Sequence, residues 1–377
     1  MILDSVALTQ QLIRCPSVTP VDAGVIDLLI KILEPLGFTC YKLPFGEVTN
    51  LYARLGTEQP NFCFAGHTDV VPVQNPEQWI ADPFAAKIIE NTLYGRGAVD
   101  MKGAIGCFIA AVSEILNQQK RFKGSISLLI TGDEEGVAID GTQKVLKWME
   151  QNNQIIDQCL VGEPTNVEKI GDTVKIGRRG SINFTLTVVG IGGHVAYPHL
   201  AENPIPSLVK ILQELCSTNL DEGNEFFPPS NLEVTSFIVD NNATNVIPSE
   251  ATAKFNIRFN NIYSCEKLKQ WVETVCNKVT TKFVLSYTSS ADPFLTEKNL
   301  FSDIVQASIT EITGISPELS TTGGTSDARF IKNYCPVLEF GLINKTAHKI
   351  NESITVSELH TLTKIYKMIL AKYFDKE

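Results

Sequence analysis

The sequence predicts an α/β protein: a mostly parallel sheet flanked by helices, interrupted by an inserted ferredoxin-like α+β domain. Three observations predict it. Apolar segments that read as buried strands alternate with helical segments up to residue 179. A β-α-β-β-α-β order follows from Gly180, and the first pattern resumes near residue 293. A chain of 377 residues also exceeds one ordinary core, so two domains are expected, 1–179 with 293–377 and 180–292.

In the first part, residues 4–14 and 21–36 read as helices, and "NFCFAGHTDVVPV" reads as a buried strand. "KGAIGCFIAAVSEILNQ" is apolar enough for a buried helix, "SISLLITGD" is the next strand, residues 141–151 form a helix, and "QCLVGEP" is a short strand. Beyond Gly180, "SINFTLTVVG" alternates like a half-exposed strand. "NPIPSLVKILQEL" carries proline in its first helical turn. "NLEVTSFIVD" and "SEATAKFNIRFN" are strands, "SCEKLKQWVETVCNKV" is a helix with a serine cap, and "TKFVLSYTSS" completes the insert. The final part holds a helix over 300–313, the turn "TTGGTSD", the strand "PVLEFGLIN", and a last helix opened by a capping box of Thr355 and Glu358.

Composition narrows the function. The 42 acids against 32 bases give a net charge of −10, with no Lys/Arg cluster to track phosphates, which argues against nucleic acid. No apolar run reaches the roughly 20 residues of a membrane span, and the first residues lack a signal-peptide layout, so a cytoplasmic protein is expected. The nine cysteines are scattered without a Cys-x-x-Cys pair and read as reduced thiols rather than zinc ligands.

The chemistry is carried by acids at strand ends. "SLLITGDEEGVAID" runs a buried strand into Asp133, Glu134 and Glu135, where like charges repel and desolvation is costly. His67 and Asp69 stand at the carboxyl end of another strand, the edge on which open α/β sheets build their sites. A loop histidine with an acid nearby is the plain alternative. "LYGRGAVDMKGAIG" holds Gly-x-Gly before a helix, but Asp100 occupies the third position of a dinucleotide fingerprint, and its charge would repel a pyrophosphate. Glu163 ends a further strand, and His348 follows the strand "EFGLIN". Several carboxylates converging with imidazoles on one edge require cations, and a pair of divalent metals would supply them. Carboxylates and imidazoles without thiols suit zinc, cobalt or manganese. His194 and His199 have no partner acids in register for a metal; His194, after paired glycines, stands open between function and structure, while His360 reads as a core or surface residue of the last helix. Arginine is used only eight times, and Arg178, Arg179 and Arg258 cluster at or within the insert, where they would suit a small anionic substrate.

Taken together, "FAGHTDVVP", "LYGRGAVDMKGAI", "LLITGDEEG", "LVGEPT", "GRRGS", "GHVAYPHLAENP", "ATNVIP" and "GGTSDARF" resemble the zinc aminoacylase and carboxypeptidase-like family in order and spacing. The resemblance spans nearly the whole chain. It implies a dinuclear zinc amidohydrolase with His67 and Glu163 on one ion, Glu135 and His348 on the other, and Asp100 bridging. Cobalt or manganese could replace zinc. It further implies Glu134 as general base, Asp69 as the acid that orients His67, and a homodimer built by the insert, in which His194 reaches the neighbouring active site. Substrate contacts fall on Arg178, Ser181, Tyr197, Asn245, Arg258, Gly324, Thr325 and Asn344, with Ala328 standing where glycine is expected. The implied reaction is hydrolysis of the amide in a small anionic N-succinyl amino acid. N-acetylornithine or dipeptide hydrolysis within the family is one alternative, and a binding module on an inactive scaffold is another.

Overall fold

The sheet of the first domain is mixed at its flanks and parallel at its centre. The computed structural model describes residues 2–118 and 123–375. It separates into two compact units, Met1–Ile176 with Thr296–Ser320 and Ser326–Glu377, and Gly177–Leu295 with Thr321–Thr325. The divide thus falls three residues outside 180 and 292, because a short antiparallel pair, Gly177–Arg178 with Phe294–Leu295, closes the base of the insert. The segment 321–325, read from sequence as part of the first domain, clusters with the second. Thr321 Oγ1 donates to the Phe226 carbonyl, and Arg178 Nη1 donates to that of Thr322.

In the first unit the strand order is Thr39–Phe45, Val48–Leu55, Ser125–Thr131, Asn61–His67, Gln158–Val161, Val337–Glu339, Thr173–Lys175, Glu318–Ser320. From Ser125–Thr131 to Val337–Glu339 the pairings are parallel. Every residue of Asn61–His67 and Ser125–Thr131 is buried, as a sheet covered on both faces requires. Phe62 and Phe64 stack on Phe108 of the helix Lys102–Asn117 and meet Tyr373 and Tyr366 of the last helix, Val356–Phe374, edge-on. Successive side chains alternate faces, so Cys63, Ala65 and His67 point to the other side. The helix Thr142–Gln151 packs against Val48–Leu55 and Ser125–Thr131, with Trp148 on Tyr41 and Tyr52. The capping box of Thr355 and Glu358 forms as the sequence reads.

Two features escaped the sequence reading. The hairpin Thr39–Phe45/Val48–Leu55 turns through Gly46 at φ +57°, where a Cβ would stand 2.5 Å from the Asp140 carboxylate. Three strands of three residues, Lys87–Ile89, Thr92–Tyr94 and Ser353–Thr355, make a small antiparallel sheet. Its register sets Ser353 opposite Tyr94, so the residues before 353 run beside those after 94.

In the second unit the order Asn231–Ile238, Glu250–Phe259, Gly180–Val189, Phe283–Ala291 is antiparallel throughout, the 2-3-1-4 order of a ferredoxin-like unit. Ile182, Phe184, Leu186 and Val188 alternate into a core shared with Leu208, Ile211, Leu268 and Val272 of the helices Pro204–Ser217 and Cys265–Val279. Asn203 and Ser264 cap those helices through their side-chain oxygens. All nine cysteines are free, five of them buried. Among the described residues no helix is long and apolar enough to cross a membrane.

Candidate metal centre

Parallel pairing brings three strand ends to one edge of the sheet. His67 lies opposite Thr131, and Ala65 opposite Val161, so Glu134 and Glu135 leave the sheet beside His67 and Glu163 leaves it on the other flank. Asp100 arrives immediately before the helix Lys102–Asn117, where a helix N-terminus favours a carboxylate. His348 arrives on the segment that leads into Ser353–Thr355.

Asp100 faces both histidines. Its Oδ1 lies 3.0 Å from His67 Nε2 and its Oδ2 3.1 Å from His348 Nε2. Glu135 Oε1 is 2.8 Å from His348 Nε2, and Glu163 Oε1 is 3.9 Å from His67 Nε2. One ligand atom each from His67, Asp100 and Glu135 lie within 4.8 Å of one another, and so do those of His67, Glu134 and Glu163. His67 Nδ1 donates to the backbone carbonyl of Asp69 at 2.9 Å, so that once the ring is neutral its lone pair is on Nε2. The Asp69 carboxylate accepts from the amides of Glu134 at 3.2 Å and Glu135 at 3.0 Å. Asp69 therefore orients the first histidine with its main chain and the two glutamates with its side chain.

The third acid of the trio does something else. Asp133 Oδ2 accepts from the amides of Ile139 and Asp140, both at 2.9 Å, and closes the loop that follows Glu135. Asp327, not singled out in the sequence, is buried with Oδ2 accepting from Thr142 Oγ1 at 2.6 Å, and burial pushes it up to about 6. Its signal was its place in "GGTSDARF". Ala328 opens the short helix Ala328–Ile331 inside the core, a conformation that needs no glycine.

The electrostatics call for positive charge. Burial pushes Glu134 up to about 8, and the Asp327, Glu135 and Asp100 charges add to it against His67. Burial also drives Glu163 well above the carboxylate range, with Asp100 and Glu134 adding to it. Hydrogen bonds that His348 donates to Asp100 and Glu135 hold its imidazole up to about 10. For His67, burial opposes the charge, but the Asp100 hydrogen bond and the surrounding acids outweigh it and raise the imidazole well above its ordinary range. Asp100 shows the converse: burial opposes its ionisation, yet both imidazoles hold it well below the usual carboxylate range. A cluster that retains protons this strongly, with nitrogen and oxygen donors and no thiol, fits a pair of divalent cations.

Of the other expected site residues, Asn344 belongs to the first unit and the rest to the second. Asn344 is exposed, and its amide donates to the Asn166 carbonyl. In the second unit Arg178 is buried and Arg258 half-buried, while Ser181, the register partner of Arg258, accepts from Asn256 Nδ2 at 3.1 Å. A Cβ on Gly323, at φ +105°, would lie 2.6 Å from Arg178 Nη1, so this turn requires glycine. Gly324 and Thr325 follow it, and a Cβ on Gly324 would meet open space. His194, Tyr197 and Asn245 are exposed. The Asn245 carbonyl accepts from the Val195 amide, and the Ala196 amide donates to His194 Nδ1 at 3.0 Å.

Residues 63–372 match the peptidase family M20/M25/M40. A succinyl-diaminopimelate desuccinylase of Rhodospirillum centenum is 54% identical over 98% of this chain and 97% of its own. The enzyme of that name from Ehrlichia canis is 52% identical over the full length of both chains. Among solved structures, an M20 family metallo-carboxypeptidase of Sulfolobus solfataricus shares the fold with a TM-score of 0.79 at 17% identity, covering 98% of this chain and 99% of its own.

Proposed function

Because the chain belongs to the peptidase family M20/M25/M40, we propose that it is a metal-dependent amide hydrolase that cleaves N-succinyl-LL-2,6-diaminopimelate to succinate and LL-2,6-diaminopimelate. The observation that carries this reading is a complete acid and imidazole cluster in a chain more than half identical, end to end, to proteins named for that reaction.

When bound, two divalent ions, zinc by the character of the donors, would polarise the succinyl carbonyl and make a water molecule acidic near neutral pH. His67 and Glu163 would hold one ion, Glu135 and His348 the other, and Asp100 both. Glu134 acts as general base: it takes the proton of the attacking water and returns it to the departing amine. Asp69 supports that role by anchoring the amides of Glu134 and Glu135.

The second unit is assigned to dimer formation and substrate binding. Its outer strand, Asn231–Ile238, exposes Val234, Phe237 and Ile238, which suits pairing with a second copy. His194 of the partner subunit would donate to the developing oxyanion. The hydrogen bond at His194 Nδ1 supports this, since it leaves the proton of the neutral ring on Nε2. Arg178 and Arg258 suit the carboxylates of the substrate, with Ser181, Tyr197, Asn245, Gly324, Thr325 and Asn344 as its further contacts. The free cysteines fit a cytoplasmic protein.

Three substrates assayed side by side test the reading: N-succinyl-LL-2,6-diaminopimelate, N-acetylornithine and a dipeptide, each with zinc and after chelation. Zinc-dependent hydrolysis of the succinylated substrate alone is expected. Preference for either of the others would move the protein to another activity of the family, and absence of hydrolysis in all three would leave a binding module.

A further inference from the structure

Glu352 takes no part in the chemistry described above, yet it is fully buried beside it. Its Oε2 accepts from Arg96 Nη1 at 2.7 Å and from the Gly97 amide at 3.0 Å. Its Oε1 accepts from the Val99 amide at 2.8 Å and the Asp100 amide at 3.1 Å. Its own carbonyl accepts from the Gly95 amide at 3.0 Å. Residues 95–100 are therefore wrapped around one carboxylate whose four acceptor directions are all filled. Arg96, equally buried, extends the link: its Nη2 donates to the carbonyl of His348 at 3.4 Å. The guanidinium also lies over the Trp79 ring at 5.4 Å.

The two ends of this arrangement are the segments that present Asp100 and His348. Their side chains meet at 3.1 Å although they come from separate segments of the first unit. A lone buried ion pair is weak evidence of a stabilising role, because desolvation offsets much of its attraction. A carboxylate that gathers the loop amides of Gly97, Val99 and Asp100 and an arginine bonded to the other loop defines a shape instead.

We infer that Glu352, through Arg96, is a positioning residue that holds the Asp100 loop and the His348 loop in one frame and so sets the affinity for the cation shared by Asp100, Glu135 and His348. The inference rests on the metal-dependent reading given above. Glu352→Gln keeps the volume and one acceptor oxygen but turns an NH2 group toward the Gly97 amide and Arg96. Arg96→Lys keeps the charge and removes the fork that reaches both Glu352 and His348.

The full chain, stripped of metal by chelation, is titrated with zinc against a competing indicator and with cobalt by its visible spectrum, and the melting temperature of the stripped protein is recorded. Wild type is expected to take two ions in separable steps. In Glu352→Gln and Arg96→Lys one of the two steps should lose roughly 10–100-fold in affinity, the range for groups that support a ligand, while the other changes by less than about threefold. The cobalt band of the affected step should shift as its ligands loosen. Variants that melt earlier but bind both ions with wild-type affinity would overturn the inference and leave Glu352 a folding element only. If wild type takes up no ions, the metal-dependent reading itself fails. Should Glu352→Gln not fold, Arg96→Lys alone decides by the same two affinities.

Discussion

Asp100 Oδ2 lies 3.1 Å from His348 Nε2, joining a carboxylate at the mouth of a buried helix to an imidazole from the end of the chain. The contact is favourable for an ionised carboxylate beside a protonated imidazole. Glu134 and Glu163 are raised, His67 and His348 are raised, and Asp100 is lowered. Divalent cations satisfy all five demands at once.

Replacing Glu134 by glutamine removes the base and keeps the size. Turnover should fall by about 10²–10⁴, the usual contribution of a positioned general base, with two ions per chain retained on elemental analysis. Normal turnover in a fully loaded variant would remove Glu134 from the mechanism.

Asp69→Asn separates the two tasks of that residue. The main-chain carbonyl that fixes His67 survives, while the carboxylate that accepts from the amides of Glu134 and Glu135 is lost. The variant should lose kcat, with zinc affinity within about tenfold of wild type. A collapse of zinc affinity with kcat intact at saturating metal would show that the carboxylate orients His67 instead.

Stability of the metal-free protein should depend on pH in a defined direction. Glu134 titrates near 4.5 when unfolded and about 8 when folded, so across that window the folded state binds more protons and stability falls as pH rises. His348, raised from 6.5 to about 10, acts with the same sign: its contribution is complete below 6.5 and is lost as pH rises through 10. Thermal melts of chelated protein from pH 5 to 9 should show a declining midpoint. Zinc addition at pH 7 should release protons, measurable as a buffer-dependent heat of binding. A midpoint that rises across this range would contradict the assignment.

The shared active site has a complementation test. Glu134→Gln and His194→Ala homodimers should each be slow. Subunits exchanged at equal concentration should recover about a quarter of the wild-type rate, because half of the dimers are mixed and each holds one complete site. No recovery despite confirmed mixing would place His194 outside the neighbouring site.

Much of this was legible in the sequence because its physics is local. The buried strands announce themselves as unbroken apolar runs, and the acids that follow them stand out against the cost of desolvation. The insert is legible for the same reason, since Ile182 to Val188 alternate in and out over one face. Glu352 and Asp327 were not, because their importance comes from partners far along the chain, Gly97 to Asp100 for one and Thr142 for the other. The three-residue strands that bring Glu352 to the Asp100 loop are too short to show a period. Asp133 was read only as one acid of the trio, and its task of closing the loop shows in the amides it accepts from.

The most direct measurement is anomalous diffraction at the zinc edge from crystals of the zinc-loaded protein. The account predicts two peaks per chain, one between His67 and Glu163, one between Glu135 and His348, with Asp100 reaching both. Peaks elsewhere, or well-ordered acids at this sheet edge with no peak among them at saturating zinc, would contradict it.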